Sequence, residues 1–214
     1  MPNDLQRSIM QNAFKLASFA AVVAIILALV YAISETRITQ QQLNAQRQAL
    51  NIIFPETQHD NDLIDDSFIL NLLTSEFNNL DLLGLRESSS AYIARNNMQI
   101  RGIILPAIAR DGYSGDINIL LGISTDGSVT GVRVIAHRET PGLGDKIDLR
   151  FSNWILSFNN RSLGNPEPAA WTVKKDGGEF DQFTGATITP RAVTVATAKA
   201  LQFFEENKSL LLAL

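Results

Sequence analysis

One stretch near the N-terminus is apolar on every side. Residues 16–33 read LASFAAVVAIILALVYAI, a run of 18 residues without a charge that flanking residues can extend as a helix. A helix that crosses a bilayer needs roughly 20 mostly apolar residues. Tyr31 lies near one end of the run, where an aromatic ring prefers the membrane interface. The pattern predicts a transmembrane helix. It disfavours a buried helix of a soluble protein, because no polar face interrupts the run.

The charges that flank this run predict its orientation. Arg7 and Lys15 precede it against one acid, Asp4, whereas acids dominate residues 56–66 on the other side. The excess of positive charge favours a cytoplasmic N-terminus and places the chain from about residue 35 onward in the periplasm of a bacterial inner-membrane protein. A cleaved signal peptide ending at residues 30–32 is the alternative. The apolar run is longer than the usual 7–15 residues of such peptides, which favours a retained anchor.

Alternating apolar and polar positions begin in the second half of the chain. Residues 117–123 and 129–136 are rich in β-formers and enclose Asp126-Gly127, a sequence that predicts a β-hairpin. Residues 99–109 predict a third strand, with Pro106 making its end an edge or a bulge. Residues 171–175 predict a brief strand. Together these runs predict a small antiparallel sheet.

Helical patterns surround the predicted sheet. Residues 36–53 suit a helix that continues from the anchor and stops near Pro55, either as a stalk or as a docking surface for another membrane subunit. Residues 67–90 are expected to contain a short apolar helix, and residues 145–160 another. Residues 190–206 predict a clear helix, with Thr189 as its N-cap and Pro190 in the first turn. The predicted apolar stripe of this helix consists of Val193, Ala196, Ala200, Leu201 and Phe204.

These elements predict an α+β chain with a single N-terminal transmembrane helix. Residues 1–34 form the N-terminal stub and anchor, and residues 35–90 form the stalk helix with an acidic and helical connector. Residues 91–207 form the globular domain, in which helices flank the sheet, and residues 208–214 form a C-terminal tail.

Composition limits the chemistry that this domain can perform. The net charge of −4 and the pI near 5.2 lack the basic footprint of nucleic-acid binding. The absence of cysteine excludes disulfides, cysteine-ligated zinc and iron–sulfur clusters. His59 and His137 are the two histidines, too few for a multi-histidine metal site. The acidic residues 56–66 lack the glycine and distal glutamate of an EF-hand and suit a solvated loop. Redox chemistry would therefore require an organic cofactor.

The first candidate site leads into the last predicted helix and reads DQFTGAT, residues 181–187. Gly185 and Ala186 leave the backbone uncluttered, so that a ligand can approach it closely. A phosphate on Thr187 would lie beside the free N–H groups and the positive dipole end of the helix. Arg191 in the first turn could add a cation or point to water. The alternative interpretation is an ordinary turn with an N-cap.

The second candidate site, residues 139–147, reads ETPGLGDKI and follows the predicted hairpin. Its two glycines allow the backbone to approach a flat ring, and Leu143 offers an apolar face. Its polar side chains can supply further contacts. A tight glycine turn before the next helix is the alternative. The candidate ligand contacts of this segment are Glu139, Thr140, Gly142, Leu143, Gly144 and Lys146.

The run DQFTGAT resembles the Asp-x-x-Ser/Thr-Gly-Ala-Thr flavinylation motif of bacterial covalent FMN-binding domains. In that family a dedicated flavin transferase moves the FMN portion of FAD onto the last threonine, forming a phosphoester. The resemblance implies that Thr187 is the acceptor. The matching motif positions are Asp181, Thr184, Gly185 and Ala186. The segment ETPGLGDKI resembles the flavin-contacting loop of the same family.

A longer region, roughly residues 113–199, resembles the G subunits of Rnf-type, or Rsx-type, ion-translocating oxidoreductase complexes. The resemblance implies a membrane-anchored electron carrier rather than a stand-alone enzyme, working with other membrane subunits that couple ferredoxin/NAD electron transfer to ion movement. The C subunit of the sodium-pumping NADH:quinone oxidoreductase shares the anchor and motif but is usually longer between them. A flavinylated periplasmic carrier of another electron-transfer chain and a non-redox exported binding module are the remaining alternatives.

Overall fold

The computed structural model describes residues 2–74 and 76–214. They divide into two compact units, Met1–Gln46 and Arg47–Leu214. Helix α1 (Pro2–Ile53) makes up the first unit and enters the second. Its segment Ile9–Ala28 is long and apolar enough to cross a membrane, and none of that segment is buried against protein. The predicted spanning helix is therefore present. As predicted, the helix stops just before Pro55.

The second unit contains a five-stranded antiparallel sheet in which neighbours in sequence are neighbours in space. The strands are β1 (Ser67–Leu70), β2 (Ser89–Asn96), β3 (Gln99–Ala109), β4 (Ile117–Ser124) and β5 (Val129–Ala136). The predicted hairpin is β4–β5, and Gly127 in its turn has φ +94°. The register joins β2 to β3 only as far as Ile104, so Pro106 lies where β3 pairs with β4 alone.

The hairpin turn is held by one carboxylate. Asp126 accepts hydrogen bonds from the hydroxyls of Ser124 and Ser128 and from the backbone N–H of Ser128. These bonds, the one from Ser124 first among them, lower the pKa of Asp126 to about 2. Because they favour the ionised carboxylate, the turn is most stable when Asp126 is charged.

Helix α2 (Ile188–Leu211) covers one face of the sheet. Its apolar stripe packs in the larger core cluster with the inward-facing residues of β3 and β4. All five residues predicted for that stripe are buried: Val193, Ala196, Ala200, Leu201 and Phe204. The helix continues to Leu211, which is fully buried. Residues 208–211 therefore extend the helix instead of beginning a separate tail.

The last turn of α1 covers part of the opposite face. Leu50, Ile53 and Phe54 form a second core cluster with residues of β2, β3 and the connecting loop. Ile53 lies so close to the sheet that a Cβ on Gly131 would stand 3.1 Å from its carbonyl oxygen. Glycine at this position therefore lets the helix backbone approach the strand backbone directly. Residues 47–53 therefore belong to the second unit, and Leu50 and Ile53 are part of its core.

Three short elements differ from their predictions. Ser67–Leu70 is a strand rather than part of a helix, because it pairs antiparallel with β2; Leu80–Leu83 is a short 3₁₀ helix. Residues 145–160 contain two 3₁₀ helices, Gly144–Ile147 and Trp154–Phe158. Between them the Ser152 hydroxyl donates to the carbonyl of Lys146 and accepts from the N–H of Trp154. The sequence predicted to be a brief strand at 171–175 makes a single bridge, Val173 to Phe180, and runs into the 3₁₀ helix Lys174–Asp176. The remaining 3₁₀ helix is Pro168–Ala170.

Candidate functional site

A cavity of about 340 Å³ opens between the two segments that the sequence singled out. They are about forty residues apart in the chain, and the fold brings them to opposite sides of one space. The described residues that line the cavity are Tyr113, Glu139, Thr140, Leu143, Gly144, Gly185, Ala186, Thr187, Ile188 and Thr189. The volume lies within the range of small-molecule sites, and the lining combines apolar side chains with hydroxyls and backbone.

The first segment reaches the cavity through a tight turn. The N–H of Ala186 donates to the carbonyl of Phe183 over 3.1 Å, and Gly185 has φ +83°. A side chain at Gly185 would be strained by this angle and would stand 3.4 Å from Leu143. Below the turn, the indole N–H of Trp154 donates to the carbonyl of Asp181 over 2.7 Å. The turn is therefore held by a hydrogen bond at Asp181 and has no side chain at Gly185.

Thr187 is the N-cap of α2, two residues earlier than predicted, and its hydroxyl makes no capping hydrogen bond. The predicted N-cap, Thr189, lies inside the first turn, where its hydroxyl donates a hydrogen bond of 2.5 Å to Oε2 of Glu139. The prediction was wrong because the hydroxyl of Thr189 donates to the carboxylate of Glu139, fifty residues away, and therefore does not cap the helix. Thr187 is half-buried and lines the cavity, so its free hydroxyl lies at the positive end of the helix.

The second segment is shaped by one carbonyl group. The carbonyl oxygen of Thr140 accepts from the N–H groups of Leu143 and Gly144, each over 3.1 Å. This turn leaves Leu143 42% exposed at the cavity and buries Gly144 behind it. The turn therefore presents the apolar side chain of Leu143 at the cavity, and such a surface suits contact with a flat ring.

Charge in the cavity comes from one residue. Of the ten described lining residues, Glu139 alone belongs to the acidic and basic residue types Asp, Glu, His, Lys and Arg. Two cations near the first segment form ion pairs with other residues. Arg191, for which the sequence left two outcomes open, does not line the described cavity; its partly exposed side chain forms a two-bond pair with Asp176, 2.5 and 3.0 Å. Lys174 pairs with Asp181 over 2.6 Å.

Two more buried carboxylates follow Glu139 in the chain, those of Asp145 and Asp148. Burial raises the pKa of Asp148, but hydrogen bonds from Arg150 outweigh burial and leave that pKa below its usual value. Oδ1 of Asp145 has no hydrogen-bond partner within the described chain. Among the described residues, no three His, Asp or Glu side chains converge as a metal site.

Seven of the eleven candidate residues line the cavity, and the other four lie outside it. Those that line it are Glu139, Thr140, Leu143, Gly144, Gly185, Ala186 and Thr187. Asp181 and Thr184 face solvent, and the Asp181 side chain is 70% exposed. Gly142 is exposed with φ +77°, and Lys146 is half-buried behind the loop. The structure therefore divides the DQFTGAT run into an inward half and an outward half.

Three lining residues were not among the candidates. Tyr113 and Ile188 are 69% and 44% exposed, and with Leu143 they surround the cavity with apolar surface. Thr189 forms the buried floor beside Glu139. A sequence signal exists for Tyr113, which stands between two glycines in a turn before β4, but its proximity to Leu143 depends on the fold.

These residues fit a phosphorylated aromatic ligand. Tyr113, Leu143 and Ile188 offer exposed apolar contact for a ring system. The hydroxyl of Thr187 is uncommitted at a helix N-terminus, which is where a phosphate is stabilised. No lysine or arginine is among the described residues that line the cavity.

Comparison with protein families gives two matches, one at the N-terminus and one within the second unit. The family described as the FMN-binding domain matches residues 112–202, and the family described as the RnfG N-terminal region matches residues 1–53. The first match contains the whole cavity lining. The second contains helix α1 up to its last residue.

Curated relatives align along nearly the whole chain. A Vibrio cholerae protein named as the G subunit of an ion-translocating oxidoreductase complex is 44% identical over 94% of this chain and 92% of its own. One of Pseudomonas aeruginosa with the same name is 46% identical over 97% of this chain and 94% of its own. Among solved structures, the C subunit of the Na⁺-translocating NADH-quinone reductase from Parabacteroides distasonis matches with TM-score 0.50 at 18% identity, covering 79% of this chain and 95% of its own. That likeness supports the α+β fold.

Proposed function

Because the chain belongs to the family of G subunits of ion-translocating oxidoreductase complexes, we propose that it is a membrane-anchored electron carrier holding FMN covalently on Thr187. The observation that carries the proposal is the cavity itself. It joins the two candidate segments and presents an uncommitted threonine hydroxyl at the N-cap of α2. The family match to an FMN-binding domain over the same residues supports FMN as the occupant.

Different residues of the cavity would contact different parts of FMN. Tyr113, Leu143 and Ile188 would contact the ring system, since they are the exposed apolar residues of the lining. The backbone at Gly185 and Ala186 would lie against the sugar-alcohol chain and phosphate. The N–H groups at the start of α2 would stabilise the phosphate charge. Bound there, FMN supplies reversible electron transfer, and this chain positions it and limits its contact with water.

The proposed attachment would replace the phosphoanhydride bond of FAD by a phosphoester bond to Thr187. The Thr187 oxygen bonds to the FMN phosphorus of FAD, the bond from that phosphorus to the AMP oxygen breaks, and AMP leaves. The hydroxyl proton passes to a base that the flavin transferase supplies. This chain contributes the nucleophilic oxygen and its placement. The outward residues Asp181 and Thr184 lie on the same turn, exposed to solvent, and we assign them to recognition by the transferase.

The membrane arrangement follows from the charges around the candidate span Ile9–Ala28. Arg7 precedes it and Lys15 lies near its N-terminal end, whereas the acidic loop follows it in the chain. We therefore propose an inner-membrane protein with a cytoplasmic N-terminus and a periplasmic FMN-binding domain. Residues 1–34 would anchor it in the bilayer, residues 35–46 would connect, and the unit from residue 47 onward would carry the cofactor. Its partners would be the other subunits of the complex and, during maturation, the flavin transferase.

The experiment is intact-mass spectrometry of the denatured full chain after co-expression with an active flavin transferase. Wild type is expected to gain the mass of FMN less one water, and Thr187→Ser, which keeps a hydroxyl, is expected to retain part of that gain. Thr187→Ala is expected to show none. Thr125→Ala, in the hairpin turn outside the cavity lining, is the control and should load like wild type. An unmodified wild type, with the transferase shown to modify a known target, would refute the proposal.

A second variant separates recognition from folding. Asp181→Asn removes an exposed charge whose side chain makes one surface ion pair, so the thermal midpoint should stay within about 2 °C of wild type. Flavin loading at limiting transferase should nevertheless fall several-fold. Unchanged loading would remove Asp181 from the recognition surface while leaving the acceptor role of Thr187 intact.

A further inference from the structure

Glu139 is the most constrained residue of the cavity. It is 5% exposed, and both of its carboxylate oxygens are occupied: Oε1 accepts from the N–H of Ser114 over 2.9 Å, and Oε2 accepts from the hydroxyl of Thr189 over 2.5 Å. Both carboxylate oxygens therefore act as hydrogen-bond acceptors. The group thereby joins the loop before β4, the segment after β5 and the first turn of α2.

Glycines enclose this carboxylate on two sides. A Cβ on Gly144 would stand 2.7 Å from Oε2, and a Cβ on Gly112 would stand 3.0 Å from Oε1. Neither position can carry a side chain without displacing the carboxylate, because contacts this short are repulsive. The space around Glu139 is therefore fitted to the carboxylate and leaves no room for a lysine or arginine from these two positions.

The charge of Glu139 is not neutralised by an ion pair. The ion pairs formed by the described residues near the cavity join other groups, such as Arg191 to Asp176 and Lys174 to Asp181. What compensates Glu139 is a pair of hydrogen bonds and the start of α2, where Thr189 is the second residue. A helix N-terminus carries only about half a positive charge. A full negative charge beside it leaves this end of the cavity negative.

A negative cavity discriminates between two forms of the same cofactor. A phosphate monoester, as in free FMN, carries roughly −1.5 to −2 charges at pH 7. A diester has one ionisable oxygen fewer and carries a single negative charge. Repulsion by a partly buried carboxylate is therefore stronger for the free monoester than for the threonine-linked diester.

We infer that Glu139 makes the cavity selective for covalently linked flavin by repelling the phosphate of free FMN. The inference rests on the proposed function, since it concerns the same cavity. Its consequence is that free FMN does not fill the cavity before the transferase acts, so the hydroxyl of Thr187 stays accessible. Glu139 is thus a specificity-determining residue that acts through its charge, in addition to positioning the first turn of α2.

The test uses the full chain in detergent, produced without the transferase so that Thr187 is unmodified. Dissociation constants for FMN and for riboflavin, which has the same ring and no phosphate, are measured by quenching of flavin fluorescence. The variant is Glu139→Gln, whose amide can still accept from the N–H of Ser114 and donate to the Thr189 oxygen. Glu179→Gln removes the same charge from an exposed residue paired with Arg161 and is the matched control.

Glu139→Gln is expected to tighten FMN binding on the order of tenfold and to leave riboflavin binding within about twofold, while Glu179→Gln changes neither. An unchanged ratio of the two dissociation constants would overturn the inference. A parallel loss of both affinities would do the same, since Glu139 would then act through shape alone, and so would failure of riboflavin to bind any of the three chains. These results are independent of the mass gain on Thr187, which alone decides the proposed function.

Discussion

The last turn of α1 offers a sharp test of where the globular unit begins. Ile52 and Ile53 are adjacent residues of the same type, yet Ile52 is 51% exposed and Ile53 is fully buried against the sheet. Replacing each by alanine removes the same three carbon groups. Any difference in stability between the two variants therefore measures burial at this turn and nothing intrinsic to the substitution.

The expected cost follows from the contacts. Three buried carbon groups contribute about 2.4 kcal/mol at about 0.8 kcal/mol each. The cavity that remains adds to this, because the sheet backbone below Ile53 cannot collapse into it, so a free-energy loss of about 3 kcal/mol is expected for Ile53→Ala. Ile52→Ala should cost less than about 1 kcal/mol. With a denaturant slope of about 2 kcal/mol per molar urea, the first variant unfolds about 1.5 M earlier.

The assay is urea unfolding of the full chain in detergent, followed by the fluorescence of Trp154 and Trp171. Trp171 is 4% exposed in the larger core cluster, so its signal reports on the unit as a whole. Equal midpoints for the two alanine variants would refute the reasoning and would place the boundary of the folded unit after residue 53. A fragment that starts at residue 47 should keep the wild-type midpoint, whereas one that starts at residue 56 should lose more stability than Ile53→Ala.

Two further predictions concern the cavity wall and the hairpin. Gly144→Ala should destabilise the chain by about 1–3 kcal/mol and reduce flavin loading, because its Cβ meets the carboxylate of Glu139. Stability is followed by a thermal melt and loading by mass spectrometry. Gly164→Ala, where a Cβ meets nothing within 4 Å, is the control and should change neither quantity. The pKa of Asp126, lowered to about 2, gives stability that is present above about pH 4 and is lost as pH falls through 2. Because the residue is exposed, the effect should stay below about 1 kcal/mol, and Asp126→Asn should flatten the acid limb of the unfolding curve; an equally steep limb would contradict this assignment.

The parts of the fold that were predictable are those set by local pattern. The uncharged run of α1, the Asp126-Gly127 turn between two β-rich segments and the apolar stripe of α2 each depend on neighbours in sequence. Residues 67–70 were not predictable in this way, because a short apolar run suits a helix as well as a strand. Pairing with β2, about twenty residues away, decides the outcome.

The same distinction between local pattern and long-range contact applies to the candidate site. Local sequence indicated Thr187 and the loop from Glu139 to Gly144, and the fold brings them around one cavity. It did not indicate Tyr113, because that residue joins the lining only after β4 and β5 have paired. The N-cap of α2 was misassigned for a related reason: both Thr187 and Thr189 have the right chemistry, and only the distant carboxylate of Glu139 shows which of them is free.

The placement of α2 also governs how the chain acquires its structure. The helix follows all five strands in sequence, yet it supplies one wall of the larger core. It is tied back across the chain by Asn207, which accepts from the N–H of Asn78 and donates to its carbonyl, a separation of 129 residues. Strands synthesised earlier therefore keep an apolar face uncovered until the helix forms, and in this interval unprotected sheets can associate wrongly. Folding of the globular unit is in this sense a late, whole-chain event that no N-terminal portion can complete alone.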